Sequence, residues 1–318
     1  MNQQCVVDGL DARHHCAQKQ EVAMKRMCGV AVLALFVSSG PADTSAQLLS
    51  NKEAPVRISH YHLNVTSIEA HKTFFADMLG GAAFKFGSDN VDVIKFPDVL
   101  IFLHAQKPTG LNRGTAFDHI GLAAPNVPAL VAKLKANGLY QPTVGREPVP
   151  GTPPPAEGQG GAGGGIAYLL GPDGVKLEIV TNREPNAPPL KGHHIHFINK
   201  QYVEACEWYQ KAFDAPCGRS KTDFFIGGDL PGVGYSLNFF RWEGDQSVTH
   251  VPTKGRVTDR VGFEVKNLDA FCKVLEAKGI KLTTPYRKVA GLNNIGVATI
   301  TDPWGVSIEL TEGLDKVL

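Results

Sequence analysis

The most restrictive feature of this chain is a repeat: a strand, a helix and further strands recur four times between about residues 57 and 312. The first cycle opens with RISHYHLNV, residues 57–65. Tyr61, Leu63 and Val65 form one row and His60, His62 and Asn64 the other, the alternation of a half-buried strand. A helix is expected over 67–79 with Ser67 as its cap, stopped by Gly80-Gly81. Strands are expected near 82–86, 91–96 and 99–104. The second cycle reads FDHIGLAAP as a strand and 127–137 as a helix stopped by Gly138. Strands at 165–170 and 175–181 flank the turn Gly171-Pro172-Asp173-Gly174. The third starts at GHHIHFIN, with a helix over 202–213 and a strand over 235–242. The fourth starts at DRVGFEV, with a helix over 268–278 and strands at 296–301 and 306–311.

Spacing supports the repeat. His60 stands 14 residues before Phe74, and His194 stands 14 before Trp208. GPDGVKLEI in the second cycle matches DPWGVSIEL in the fourth, which sets Glu178 against Glu309. A period above about 50 makes each unit a supersecondary block rather than a short solenoid repeat. The polar, proline-rich stretch 182–191 (NREPNAPPLK) reads as the boundary between two halves, 55–183 and 192–314. Residues 141–165, rich in Gly and Pro, are expected to form no regular element. An insertion of that length is either a covering loop or a disordered segment.

Two ionisable residues stand out in apolar strands. His119 alternates against Ile120, Leu122 and Ala124, and Glu178 against Val175, Leu177 and Ile179. Each therefore faces away from the larger apolar row, toward a surface able to line a cavity. Nothing in the charge balance points to nucleic acid: formal net charge is +1. A basic Met24-Lys25-Arg26-Met27, the apolar run 28–37 and small residues up to Ala46 describe a signal peptide. That run is too short to span a bilayer. The expectation is a secreted or periplasmic protein cleaved near Ala46, with 1–46 outside the folded part and no integral membrane association. Cleavage there leaves Cys206, Cys217 and Cys272, which allow one disulfide plus a thiol or three thiols.

With HYHLNV, DHIGLAA and PDGVKLEIV at the edges of four such cycles, the chain resembles the vicinal oxygen chelate superfamily. That group includes glyoxalase I, bleomycin-resistance proteins, fosfomycin-resistance enzymes and type I extradiol dioxygenases. The resemblance implies an α+β fold of four βαβββ modules paired into two domains, each a curved mixed sheet enclosing a cup. It implies one divalent ion held by His60, His119 and Glu178 in the N-terminal pair, a facial triad with open positions for a chelating substrate. Fe(II) or Mn(II) suits oxygen chemistry, Zn(II) or Ni(II) suits isomerisation. Phe102 stands where the glyoxalase pattern has a fourth ligand and cannot bind an ion.

The order of ring-cleaving extradiol enzymes further implies catalytic roles for His104 and Tyr168, with His62 available beside them. The C-terminal pair resembles a degenerate copy. His194 matches His60, Glu309 matches Glu178, and Arg260 replaces His119, where it is available for a salt bridge with Glu309. The implied activity is that of a metal-dependent dioxygenase on a small substrate bound through vicinal oxygens. A glyoxalase-like isomerase or lyase and a sequestering protein are the alternatives, and a homodimer is left open.

Overall fold

The repeat is present in the computed structural model, which describes residues 55–146, 159–160, 164–232, 235–247 and 249–314. The signal-like segment and most of the insertion lie outside them. The first cycle comprises β1 (Val56–Asn64), α1 (Ile68–Lys72), β2 (Ala82–Phe86), β3 (Val91–Lys95) and β4 (Leu100–His104). The second comprises β5 (Phe117–Ala124), α2 (Val127–Ala136), β6 (Gln141–Pro142), β7 (Gln159–Gly160), β8 (Ile166–Leu170) and β9 (Lys176–Thr181). The third comprises β10 (Lys191–Asn199), α3 (Tyr202–Phe213), β11 (Cys217–Arg219), β12 (Phe225–Asp229) and β13 (Ser236–Arg241). The fourth comprises β14 (Thr258–Val265), α4 (Leu268–Ala277), β15 (Leu282–Val289), β16 (Ile295–Thr301) and β17 (Ser307–Glu312).

Local signals set the expected elements, and β11, β12 and β15 are strands beyond those placed from the sequence pattern. Ser67 caps α1 by accepting the Ala70 N–H at 3.2 Å. The helix then widens into a π-helical stretch, Thr73–Met78, which buries Phe74 and Phe75. Asp173 takes a positive φ of 55° in the predicted turn. Its carboxylate accepts the Thr66 N–H at 2.8 Å and the Thr66 hydroxyl at 2.6 Å. The insertion is less irregular at its ends than its composition suggests, because β6 and β7 both pair with β8.

The modules do not pair in sequence order. One sheet joins the first and fourth cycles in the order β15-β16-β17-β14-β1-β4-β3-β2. The other joins the second and third in the order β11-β12-β13-β10-β5-β9-β8-β6, with β7 also on β8. The expected halves 55–183 and 192–314 therefore each contribute to both sheets. The physical reason lies in the connections. The short stretch 182–190 lets β10 turn back antiparallel to β5. Segments 105–116 and 242–257 both cross between the sheets, and they bond to each other. Thr109 N–H donates to Gly255 O at 2.8 Å, Val257 N–H to Gly110 O at 3.1 Å and Val251 N–H to Gly114 O at 3.0 Å. The buried Asn112 amide donates to Thr258 O at 2.8 Å and accepts Thr258 N–H at 2.7 Å.

The helices cover one face of each sheet, and a single apolar core runs through both. It contains Phe74 and Phe75, Val131 and Leu134 of α2, Tyr209 and Phe213 of α3, and Leu268 and Leu275 of α4. Phe213 stacks on Phe263 of β14 at 4.5 Å, which ties the third cycle to the fourth across the two sheets. The opposite faces carry the histidines. There the sheet edges approach one another: Asp89 N–H reaches Gly291 O at 3.3 Å in the first sheet. In the second, the Arg146 guanidinium lies 4.8 Å over the Phe224 ring. A smaller apolar cluster around Phe86, Phe102, Ile295 and Leu314 occupies this face of the first sheet.

Because Asn112 satisfies both polar groups of a buried backbone unit, Asn112→Ala leaves two of them without partners. Thermal or denaturant unfolding is expected to show a loss of about 2–4 kcal/mol. A change under about 0.5 kcal/mol, the level of an ordinary surface substitution, would mean that the crossing segments do not hold the sheets together.

Candidate metal centre

At the seam of the second sheet, β5 and β10 run antiparallel with Gly121 opposite His194 and His119 opposite His196. On the other side of β5, Gly121 is paired with Glu178 of β9. Strand alternation sends His119, Glu178, His194 and His196 to the face away from the helices. All four are buried, and one ligand atom from each lies within 4.8 Å of the others. His119 Nε2 is 2.8 Å from Glu178 Oε2, and His194 Nε2 is 3.2 Å from the same oxygen. His196 Nδ1 is 3.1 Å from His119 Nε2.

The seam admits this only because residue 121 has no side chain. A Cβ there would lie 2.2 Å from His194 Nδ1. The other nitrogen of each key ring is also engaged. His119 Nδ1 meets Asp118 Oδ2 at 2.5 Å, and Lys176 Nζ donates to that oxygen at 2.7 Å. His194 Nδ1 meets His193 Nδ1 at 2.7 Å. Such partners fix the tautomer and orientation of a metal-binding imidazole. For His194 to present a lone pair at Nε2, its Nδ1–H must donate to His193.

Burial opposes charging these imidazoles. It lowers His196 to about 3, with the neighbouring His119 acting in the same direction. It lowers His193 to about 4. It also lowers His194, although Glu178 pulls the other way. His119 is the exception: burial is outweighed by the bonds to Asp118 and Glu178, which raise its pKa. Glu178 is held below the usual carboxylate range, because its histidine bonds outweigh burial. The His119 ring thus lies between two carboxylates that favour its charged form, while burial disfavours charging the imidazoles around it. A divalent cation meets the same electrostatic demand with more donors, so this set fits such an ion.

The surroundings are aromatic. His196 stacks on Phe240 at 4.1 Å, and Phe225 lies at 6.3 Å. Tyr168 of β8 is the cross-strand neighbour of Glu178 and lies 6.0 Å from the His119 ring. Arg219 lies 5.8 Å over the Phe225 ring and donates to Asn238 Oδ1 at 2.6 Å.

The first sheet repeats the arrangement. His60 of β1 stands opposite Gly262 of β14, and His62 stands opposite Arg260. His62 Nε2 is 2.9 Å and His60 Nε2 3.3 Å from Glu309 Oε1. Arg260 Nε lies 3.1 Å from Glu309 Oε2, an ion pair whose N–H is not aimed along the line between them. Ser59 Oγ meets His60 Nδ1 at 2.7 Å, and His62 Nδ1 meets His104 Nε2 at 2.7 Å.

Residues 191–310 match the family model described as "Glyoxalase/Bleomycin resistance protein/Dioxygenase superfamily". Among curated proteins, none matches the chain. Among solved structures, glyoxalase I from Zea mays is similar, with TM-score 0.59 and 16% identity over 82% of this chain and 93% of that one. A candidate dioxygenase from Bacillus subtilis gives TM-score 0.60 and 13% identity, over 82% of this chain and 86% of that one. The fold is that of the vicinal oxygen chelate superfamily.

Within this superfamily fold, the expected ligand set is split. His119 and Glu178 meet as anticipated, but His60 lies in the other sheet and contacts Glu309. His194 and His196 take its place because β10, not β1, is the strand beside β5. His62 and His104 also belong to the first-sheet cluster, so the extradiol order of residues does not map onto one site. Tyr168 stands beside Glu178, at the second-sheet centre. The expected Arg260–Glu309 pair is present. The sequence signal for the missed histidines was the doublet spacing His60-x-His62 and His194-x-His196 in matching strands.

Two outcomes follow from this geometry. Gly121→Ala is expected to push the His194 ring out of place and weaken divalent-ion affinity by about tenfold or more. Titration calorimetry on the folded variant reads this, and unchanged affinity would remove His194 from the centre. The second concerns pH. Ion binding must expel the proton on His119, whose pKa is raised. Affinity should therefore climb as pH rises through and beyond the ordinary histidine range, with about one proton released per ion. A flat profile in buffers of different ionisation enthalpy would contradict it.

Proposed function

We propose that the chain is a metal-dependent enzyme acting on a small molecule that binds through two adjacent oxygen atoms, most similar in chemistry to a dioxygenase. The observation that carries this reading is the convergence of three imidazoles and one carboxylate, buried and held by partners of their own, in the second sheet. His119, His194 and Glu178 would hold the ion, with His196 Nδ1 as a further donor. Bound there, a divalent ion supplies Lewis acidity and, as Fe(II) or Mn(II), an electron source toward O₂.

The remaining work belongs to the chain. Asp118, braced by Lys176, keeps His119 in register. Phe225 and Phe240 offer an apolar wall to the body of the substrate and keep water from it. Arg219, paired with Asp229 at 2.8 Å, lies over Phe225 and closes the same wall. The Tyr168 hydroxyl, held protonated by burial and by Glu178, can donate to a substrate oxygen. With Nδ1 toward the ion, His196 carries its hydrogen on Nε2, which is buried without a hydrogen-bond partner among the described residues, and can donate it to a substrate oxygen. That imidazole also favours the second reading, an isomerase or lyase that moves a proton without consuming O₂.

We further propose export. The Cys206–Cys217 disulfide, with Cys272 left as a buried thiol, suits an oxidising compartment. Among the described residues no helix is long and apolar enough to cross a membrane.

The test is elemental mass spectrometry on residues 47–318 purified without chelator or nickel, beside His119→Ala. About one Fe or Mn per chain, lost in the variant, is the expected result, followed by O₂ uptake with vicinal diols. Zn or Ni without O₂ uptake favours the isomerase. No ion bound after reconstitution with each metal overturns both enzymatic readings.

A further inference from the structure

The two seams can be compared position by position, because both ladders have the same register. His194 opposite Gly121 corresponds to His60 opposite Gly262. His196 opposite His119 corresponds to His62 opposite Arg260. Glu178 beside Gly121 corresponds to Glu309 beside Gly262. The close approach is repeated too: a Cβ at Gly262 would lie 2.1 Å from His60 Nε2. Even the outer partners correspond. Asp118 precedes His119 and touches it, and Asp259 precedes Arg260 with Oδ2 3.4 Å from Nη1. His193 holds His194 as Ser59 holds His60.

One donor differs among the four. Where the second sheet has the His119 imidazole, the first has a guanidinium, which has no lone pair to give and is always charged. Its Nε lies 3.1 Å from Glu309 Oε2 and its Nη2 3.4 Å from His62 Nδ1. Glu309 is buried, and its carboxylate is held below the usual range: burial is outweighed by His62, His60 and Arg260. A second cation at that carboxylate would face the repulsion of Arg260. The cluster His60, His62 and Glu309 therefore has the outline of a metal site but does not fit an ion.

We infer that Arg260 is a built-in cation that takes the place of a metal ion in the first sheet, so this half binds no divalent metal, and that Arg260→His alone opens a second metal site there. The substitution removes the fixed charge and restores a three-imidazole, one-carboxylate donor set on a seam already shaped for it. Phe102 does not prevent this, because it stacks on the flat side of His62 at 4.8 Å and leaves Nε2 directed at Glu309.

The test uses Co(II) as the probe, with bound ion measured by equilibrium dialysis and visible ligand-field absorption. Wild type is expected to bind one equivalent, Arg260→His two, His119→Ala none, and the double variant His119→Ala/Arg260→His one. The double variant isolates the first-sheet site, so this result does not depend on whether the second-sheet centre is catalytic. A folded Arg260→His protein with the same stoichiometry as wild type overturns the inference. If that variant does not fold, His60→Ala in the wild-type background decides the exclusion of metal. Unchanged Co(II) binding supports it, and loss of an equivalent overturns it.

Discussion

A glycine opposite a histidine, at the central seam of each sheet, is the contact on which the candidate centre depends. Side chains on facing positions of an antiparallel pair normally compete for the same space. Gly121 and Gly262 remove that competition and let His194 and His60 lean across the seam toward a carboxylate on the far strand. The strands beyond them, the helices on the outer faces and the crossing segments all serve to hold that seam in register. A shift of one residue would send every histidine to the helix-covered face.

The two seams show what one changed side chain does to a shared scaffold. Backbone register, glycine, carboxylate and histidine doublet are the same in both. The second sheet meets the buried carboxylate with imidazoles whose charging burial opposes, an opposition outweighed only at His119 by its two carboxylate partners. The first meets it with a guanidinium that brings its own charge. The aromatic residues differ in the same sense. Phe102 and Phe86 belong to an apolar cluster on the first sheet. On the second sheet Phe225 lies beneath an arginine, and Phe224 beneath another near the rim.

Much of the centre was legible in residues met one at a time. His119 and Glu178 stood out because a charged or polar group interrupts an apolar strand, and they do meet. Arg260 was legible as the residue that spoils the copy. His194 and His196 were visible as strand residues of the right kind, but their companions were not. Asp118, Lys176, Arg219 and Asn238 carried no local signal, since each is an ordinary polar residue until its neighbour across the sheet is known.

The sequence by itself determined four strand-and-helix modules, their order, the helix-covered face of each strand and the residue types offered to the other face. Those follow from alternation, capping and turn chemistry, which act over a few residues. Which module sits beside which was decided only by the tertiary structure. Alternation along β1 or β5 is the same whether its neighbour is β10 or β14, so periodicity cannot choose. The choice rests on bonds between distant segments, above all those linking 105–116 to 242–257 and Asn112 to Thr258. That pairing, and not any single residue, separates His60 from His119 and gives His119 its companions.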